Sequence, residues 1–346
     1  MNSPDRPYAD LTPDRMLDAL EAVGLRGDGR FLALNSYENR VYLVGLESGA
    51  SIVAKFYRPG RWSDAQIAEE HAFVAGLAAR EIPVVAPMRL EAAPDGVAGS
   101  CAVNLSPTLA RYGGHRFAVY PRRGGRAPEL DDANTLERIG RFIGRIHEAT
   151  GTAAFVERPA LDVETFGREP RDWLLENDFV PSELRPAWTG IVDLALEAVR
   201  AAFDRAGDVP SRKLHGDCHA GNILWTDEGP HFVDFDDARN GPAVQDLWML
   251  LSGDRASMTR QLSAVLAGYE DFIELDRREL QLVEPLRTLR LVHYSAWIAR
   301  RWEDPAFPAA FPWFGTQRYW QDRVLELREQ VAAMAEPALE AVKAPG

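Results

Sequence analysis

The chain has little cysteine, no long apolar run and a deficit of positive charge, and each shortage removes a class of protein. Its two cysteines, Cys101 and Cys218, stand far apart and without metal-ligand spacing, so a disulfide scaffold and a cysteine metal site are both excluded. Two free thiols in a reducing cytoplasm are expected. No stretch approaches the roughly 20 apolar residues of a membrane span. Asp5, Asp10, Asp14 and Asp18 occupy the N-terminus where a secretory signal would need an apolar core. Acidic residues outnumber basic ones, 52 to 39, for a net charge of -13, which argues against general binding to nucleic acid or membrane. Internal repeats and low-complexity tracts are absent as well. What remains is a chain of 346 residues, 46% hydrophobic and 26% charged, the composition of a soluble globular enzyme. At about 100–200 residues per domain it has room for two domains or lobes.

The apolar pattern supports that division. Leu17, Leu20 and Val23 mark a short helix over 14–25. Two β-rich runs follow, 40–44 and 51–57, with Glu47-Ser48-Gly49 as a hairpin turn. Lys55 shares a strand face with Val53 and Tyr57, opposite Ile52, Ala54 and Phe56. Ser63 is placed to cap a helix reaching about Arg80, with Ile67, His71, Val74 and Ala78 as its apolar stripe and Leu77 on the flank. Residues 108–112 and 116–120 flank Gly113-Gly114, a second hairpin signal. Beyond 128 helical periods dominate. Leu136, Ile139, Ile143 and Ile146 line one helix, on which Gly140 and Gly144 form a single face suited to close packing. Further helices are expected near 183–206, 244–252, 258–275, 278–303 and 316–335, interrupted by a hairpin of 222–225 and 231–235. The pattern predicts an α+β, bilobal chain: residues 1–120 a small antiparallel-sheet lobe, 121–335 a larger, mainly helical lobe, and 336–346 a frayed tail. A cleft between two such lobes is a natural ligand site.

Polar chemistry concentrates in His215-Gly216-Asp217-Cys218-His219-Ala220-Gly221-Asn222, directly before the hairpin whose far end is Val233-Asp234-Phe235-Asp236-Asp237. A hairpin returns its ends to one another, so Asn222 and Asp234 are expected close together, with Asp217 on the loop feeding in. Transfer of a phosphoryl group from ATP needs such a set. Magnesium prefers oxygen ligands, which Asn222 and Asp234 supply. Asp217 suits the carboxylate that orients the attacking hydroxyl and accepts its proton. One such residue alone is ordinarily a turn former; the joint pattern is not. His215, Cys218 and His219 could offer three zinc ligands, but that reading leaves Asp217 and Asn222 without a purpose.

Lys55, in mid-strand among apolar residues, needs a partner if buried. Glu70, three residues from both Ile67 and Phe73, flanks the buried stripe of its helix, whereas Glu69 points away. A Lys55–Glu70 ion pair would hold the lysine against the ATP phosphates. The turn Leu34 to Val41 lacks the glycines of a G-x-G-x-x-G loop, yet its backbone N–H groups and the Ser36 hydroxyl could bind phosphate.

Together, His215-Gly216-Asp217, Asn222-Ile223-Leu224 and Val233-Asp234, with Gly241-Pro242 and Asp246-Leu247-Trp248 after them, resemble the aminoglycoside-phosphotransferase-like branch of the protein-kinase fold. Further blocks, 34–42, 55–59, 236–242 and 304–313, resemble a subgroup of bacterial stress-response Ser/Thr protein kinases in that branch, and the likeness runs from about Leu11 to Leu327. The resemblance implies a kinase-like fold, a cytoplasmic enzyme using ATP and Mg2+, and a protein substrate with a Ser or Thr acceptor, itself included. It further implies Asp217 as proton acceptor, Asp234 as the second catalytic carboxylate, Asn222 and Asp234 as magnesium ligands, Lys55 on the ATP phosphates and Ser36 touching ATP. Tyr120 and its neighbours would hold adenine through backbone groups, and Asp246 would buttress the catalytic loop. A monomer is expected. Two departures from ordinary protein kinases stand out: His-Gly-Asp replaces His-Arg-Asp, and Asp-Phe-Asp replaces Asp-Phe-Gly. Without an arginine before Asp217, control through a phosphorylated activation loop is not expected. A kinase for an amino alcohol, sugar or aminoglycoside fits the shared motifs too. A catalytically dead binding module does not fit the intact Lys55, Asp217, Asn222 and Asp234.

Overall fold

The computed structural model describes residues 7–34, 36–91 and 103–341. Cys101, Asn35 of the expected phosphate turn and the last five residues of the tail lie outside these. The chain divides into two compact units, Met1–Arg126 with His231–Asp236, and Ala127–Pro230 with Asp237–Gly346. The division thus lies a little beyond residue 120, and a short later segment joins the first unit.

In the first unit, Thr12 caps helix α1 (Pro13–Glu21) through a bond from Arg15 N–H, and Pro13 fits the first turn, where no N–H is needed. Six strands form one sheet: β1 (Gly27–Ala33), β2 (Arg40–Leu46), β3 (Ser51–Phe56), β4 (Val103–Ser106), β5 (Leu109–Tyr112) and β6 (His115–Pro121). Their order is β1-β2-β3-β6-β5-β4, and all neighbours are antiparallel. The central β3 sets Lys55 opposite Val41 on one side and Ala118 on the other. The period of two places Ile52, Ala54 and Phe56 in a core with Met16, Leu20 and Val119. On the other face Tyr57 packs with Ile67, Leu109 and Ala118. Ser63 and Gln66 cap helix α2 (Asp64–Ala78) reciprocally, at 3.1 and 2.8 Å. Its buried stripe is Ile67, Glu70, His71, Phe73, Val74 and Leu77; Leu77, not Ala78, completes it. The sequence pattern missed β1 and β4. Strand β1 is an edge strand, exposed along most of its length, and so carries no hydrophobic alternation to read.

The second unit is mainly helical. Helices α3 (Ala133–Thr150), α4 (Glu169–Glu176), α5 (Arg185–Ala206), α6 (Gln245–Trp248), α7 (Arg255–Tyr269), α8 (Val283–Ala299), α9 (Ala306–Ala310) and α10 (Gln317–Ala335) are joined by the short ribbon of β7 (Ser211–Leu214) and β10 (Arg239–Pro242). A Cβ on Gly140 or Gly144 would lie 2.0 or 2.5 Å from the carbonyl oxygens of Val265 and Tyr269, so α3 and α7 meet backbone to backbone, as the shared glycine face requires. The helix expected over 278–303 is two pieces, a 3-10 turn over Arg277–Leu282 and then α8. Pro285 has no N–H to give and is accommodated where the α-helix starts afresh. The aromatic residues Trp297, Phe307, Phe311 and Phe314 pack among themselves and their neighbours, and the last three are buried. The tail is not frayed as far as Ala341. Leu339 is buried, and Arg255 donates to the carbonyls of Pro337 and Ala338 at 2.7 Å each.

The ribbon of β8 (Ile223–Thr226) and β9 (Gly229–Phe232) follows the polar cluster. Strand β9 ends at Phe232, short of the expected Phe235. Within the first unit the Phe232 backbone bonds Pro83 O and Val85 N–H, at 2.8 and 3.0 Å. Asp234 then takes the left-handed conformation, φ 59°, which no strand allows. Asn222 likewise sits in a 3-10 turn (Ala220–Asn222), not in a strand.

Candidate active site

In the first unit, Lys55 is 6% exposed and its two ion pairs are with Asp234 and Asp236, at 2.9 and 3.2 Å. Burial alone would lower its pKa; the two carboxylates outweigh that and hold it well above the usual lysine range. Glu70 is 2% exposed, as its helix face predicts, but it is not the direct partner expected from the sequence. It acts on Lys55 more weakly than either aspartate, and its Oε2 lies 3.7 Å from His71 Nε2. Asp236 supplies the contact instead. It accepts from Asn39 Nδ2 at 3.2 Å and also binds Arg61. Arg61 and Arg58 both face Glu38, at 3.6 and 3.2 Å. Asp236 and Glu38 therefore interlock with Lys55, Arg58 and Arg61 in a largely buried network, with the more exposed Asp234 at its edge, and such a network stands only if complete.

Ser36 Oγ donates to Asn39 O at 3.1 Å and closes the turn before β2. The Tyr120 hydroxyl lies 3.0 Å from that of Tyr57 and 3.3 Å from His71 Nε2. Burial pushes the Tyr120 phenol pKa up.

In the second unit the loop around Asp217 is shaped by backbone contacts. Gly216 has φ 85°, and a Cβ there would lie 2.1 Å from Asp237 O, so only glycine fits. Asp246 accepts from the backbone N–H groups of His215 and Gly216 at 2.7 and 2.9 Å. His147 Nε2 stands 3.1 Å from the same carboxylate, and Gln245 Nε2 donates to Gly216 O at 3.0 Å. Asp246 is thus the buttress that the resemblance implied.

Asp217 is directed by three groups. Asn222 Nδ2 donates to its backbone oxygen at 2.9 Å and to Oδ2 at 3.3 Å. His219 Nδ1 accepts from Gly221 N–H, so the ring proton sits on Nε2, which faces Asp217 Oδ2 at 3.4 Å. Arg290 Nη1 donates to Oδ1 at 2.6 Å. Burial raises the Asp217 pKa, but His219 and Arg290 more than offset it and bring it down to about 2. Asp217 is therefore ionised throughout the working range. A carboxylate so placed can orient a hydroxyl and is a weak base, as a loose phosphoryl-transfer transition state would allow.

Each unit, taken by itself, leaves one side-chain oxygen that could take a magnesium ion. Asn222 commits its amide nitrogen to Asp217, leaving its carbonyl oxygen to coordinate. Asp234 gives Oδ1 to Lys55, and its side chain is 55% exposed. The zinc alternative gains nothing. Among the described residues no group of three or more His, Cys, Asp or Glu side chains could hold a metal, and Cys218 is a buried thiol whose pKa burial raises. The sequence reading did not find Arg290, which lies on α8 with no motif around it. The partner of Lys55 was signalled by the extra carboxylate that ends Asp-Phe-Asp, Asp236, to which the sequence analysis gives no such role.

Comparison with known proteins agrees with these features. Residues 30–283 match the family described as "Phosphotransferase enzyme family". The chain is 44% identical over 340 residues to stress response kinase A of Escherichia coli (strain K12), covering 98% of each chain. It is 42% identical, with the same coverage, to the serine/threonine protein kinase RdoA of Salmonella typhimurium. Among solved structures, an amicoumacin kinase in complex with AMP-PNP and Ca2+ matches with TM-score 0.67 and 18% identity, covering 94% of both chains. A microcompartment-associated aminopropanol kinase matches with TM-score 0.66 and 19% identity, covering 94% of this chain and 96% of that one. At such low identity these two establish the kinase-like fold. Among the described residues no helix is long and apolar enough to cross a membrane.

Proposed function

This chain belongs to the phosphotransferase enzyme family, and from that premise we propose that it is an ATP- and Mg2+-dependent Ser/Thr protein kinase of bacterial stress response. It would act in the cytoplasm as a monomer, with its own chain among its substrates. The observation that carries this reading is the 44% identity to a stress response kinase across 98% of both chains. In the reaction proposed, the acceptor hydroxyl oxygen bonds to the γ-phosphorus of ATP, the bond from that phosphorus to the ADP oxygen breaks, and the hydroxyl proton passes to Asp217. Arg290, His219 and Asn222 hold the Asp217 carboxylate in position. Lys55 binds the ATP phosphates, Ser36 touches them, and the backbone near Tyr120 takes adenine. Asn222 and Asp234 hold magnesium, which would offset the charge that develops on the phosphates. Glu70 supports Lys55 through its field.

Phosphoamino-acid analysis after incubation with ATP and a panel of proteins should give phosphoserine or phosphothreonine. Asp217→Asn should lower turnover by about 10³-fold or more while ATP affinity stays within a few-fold. Efficient phosphorylation of an amino alcohol, sugar or aminoglycoside with no label on protein would replace this reading with the small-molecule one.

A further inference from the structure

We propose that Arg290 selects the acceptor by binding a carboxylate that lies beside the phosphorylated hydroxyl, so that the preferred substrate is a serine or threonine flanked by acidic residues. The proposal deepens the protein-kinase reading and rests on it.

The argument starts from reach. An acceptor hydroxyl must come within about 2.6–3.2 Å of the Asp217 carboxylate to be oriented by it. The Arg290 guanidinium is already 2.6 Å from that carboxylate. A side chain one or two residues from the acceptor is therefore within range of Arg290. Capacity comes next. A guanidinium has five N–H donors. Asp217 Oδ1 takes one from Nη1, and the thioether of Met249 is a weak second contact at 4.0 Å. The Arg290 side chain is 40% exposed, so it can be reached from solvent. With Nη1 on Asp217, the planar fork can present Nε and Nη2 to a second carboxylate without releasing the first.

The surrounding charges point the same way. The half-buried face of α8 that carries Arg290 also carries Glu284, Arg287, Tyr294 and Trp297; Glu284 is paired with Arg287 at 3.7 Å, and no carboxylate follows it on that face. Arg287 lies over the Trp248 ring, and Arg301, beyond the helix end, lies over Trp297. Asp237, the other acidic residue acting on Asp217, is already paired with Arg239 at 2.8 Å. An ammonium-bearing acceptor would meet an arginine at the catalytic carboxylate; an acidic segment would meet a complementary charge.

Three peptides test this, identical except that the residues flanking the serine are alanine, aspartate or lysine. The wild-type enzyme should favour the aspartate peptide over the alanine peptide by about tenfold in kcat/KM, mainly through KM, with the lysine peptide last. Arg290→Lys should keep the order with a smaller ratio, and Arg290→Gln should level the aspartate and alanine peptides. Arg290→Glu should place the lysine peptide first, an inversion that a purely structural arginine cannot produce. Equal use of the three peptides by wild type, or an equal loss on all three in Arg290→Glu with unchanged melting temperature, would overturn the proposal. If no peptide is labelled, the protein-kinase reading has failed by itself, and a pair of small alcohols then tests Arg290. A hydroxy acid preferred over an amino alcohol, with reversal in Arg290→Glu, would support the role of Arg290; the opposite preference in wild type would refute it.

Discussion

The two units place their carboxylates by different means, although the Asp217 side chain too ends on an ion pair, with Arg290. In the first, Asp234 and Asp236 are fixed by charge, inside a network of Lys55, Arg58, Arg61 and Glu38. In the second, Asp217 sits on a loop fixed by backbone geometry, with Gly216 against Asp237 O and Asp246 spanning two N–H groups. The first arrangement depends on keeping every charge; in the second the backbone of the loop depends on space and on hydrogen-bond direction, and charge acts only on the Asp217 side chain. The same residue type is therefore replaceable to different degrees in the two places.

The sharpest way to break the second arrangement is Gly216→Ala. A methyl group 2.1 Å from a carbonyl oxygen, at φ 85°, must displace the loop. Displacement of Asp217 by about 1 Å should cost roughly 10²-fold in kcat. Stopped-flow or steady-state kinetics would show it, and a kcat within a few-fold of wild type would mean the loop tolerates movement.

Asp236→Asn is the matching test of the first unit. It leaves Lys55 and Arg61 short of one charge in a buried setting, a change that costs roughly 3–5 kcal/mol when a buried pair is broken. Melting temperature should fall, and the KM for ATP should rise by about tenfold more than in Glu70→Gln. If Glu70→Gln proves at least as damaging, the direct lysine–glutamate pair expected from the sequence is the better account.

A smaller effect separates buried charge from buried geometry through pH. Burial raises the Glu279 carboxyl to about 7, although Val244 N–H donates to it. Its folded pKa lies above its unfolded value of about 4.5, so its contribution is full below pH 4.5 and is lost as pH rises to 7, on the order of 3 kcal/mol. Burial pushes His293 the other way, to about 3, so its contribution is full above pH 6.5 and is lost as pH falls. The two trends oppose each other across the same window. Glu279→Gln should leave only the histidine trend, and melting temperature should then climb more steeply from pH 4.5 to 6.5 than in wild type. An unchanged slope would show that Glu279 titrates near its ordinary value.

Much of this was legible because it is local. The capping box at Ser63 and Gln66, the faces of β3 and the glycine face of α3 each follow from residues a few positions apart. The loop from His215 to Asn222 could be read as a catalytic motif for the same reason. What stayed hidden depends on distant partners or on missing alternation. Arg290 reaches Asp217 across 73 positions, and nothing near it in sequence announces the contact. Asp236 takes the lysine contact expected of Glu70, two positions after Asp234 turns to positive φ, a conformation that the run Val233-Asp234-Phe235 offers no cause to foresee. The edge strand β1 has too little buried surface to leave a pattern.

The segment His231–Asp236, which belongs to the first unit though it is made long after it, has a consequence for synthesis. When Arg126 leaves the ribosome, the sheet lacks both carboxylates that neutralise Lys55. At about 5–20 residues per second, the roughly 110 residues still to come impose a wait of about 5–20 s. During that interval a lysine destined for burial has neither of its aspartates. The N-terminal unit is therefore expected to leave β3 open to solvent until Asp236 emerges. A nascent chain halted before His231 should be cut readily by protease within β3, whereas one halted well past Asp236 should resist. On this expectation the first unit is finished only with residues made long after the rest of it.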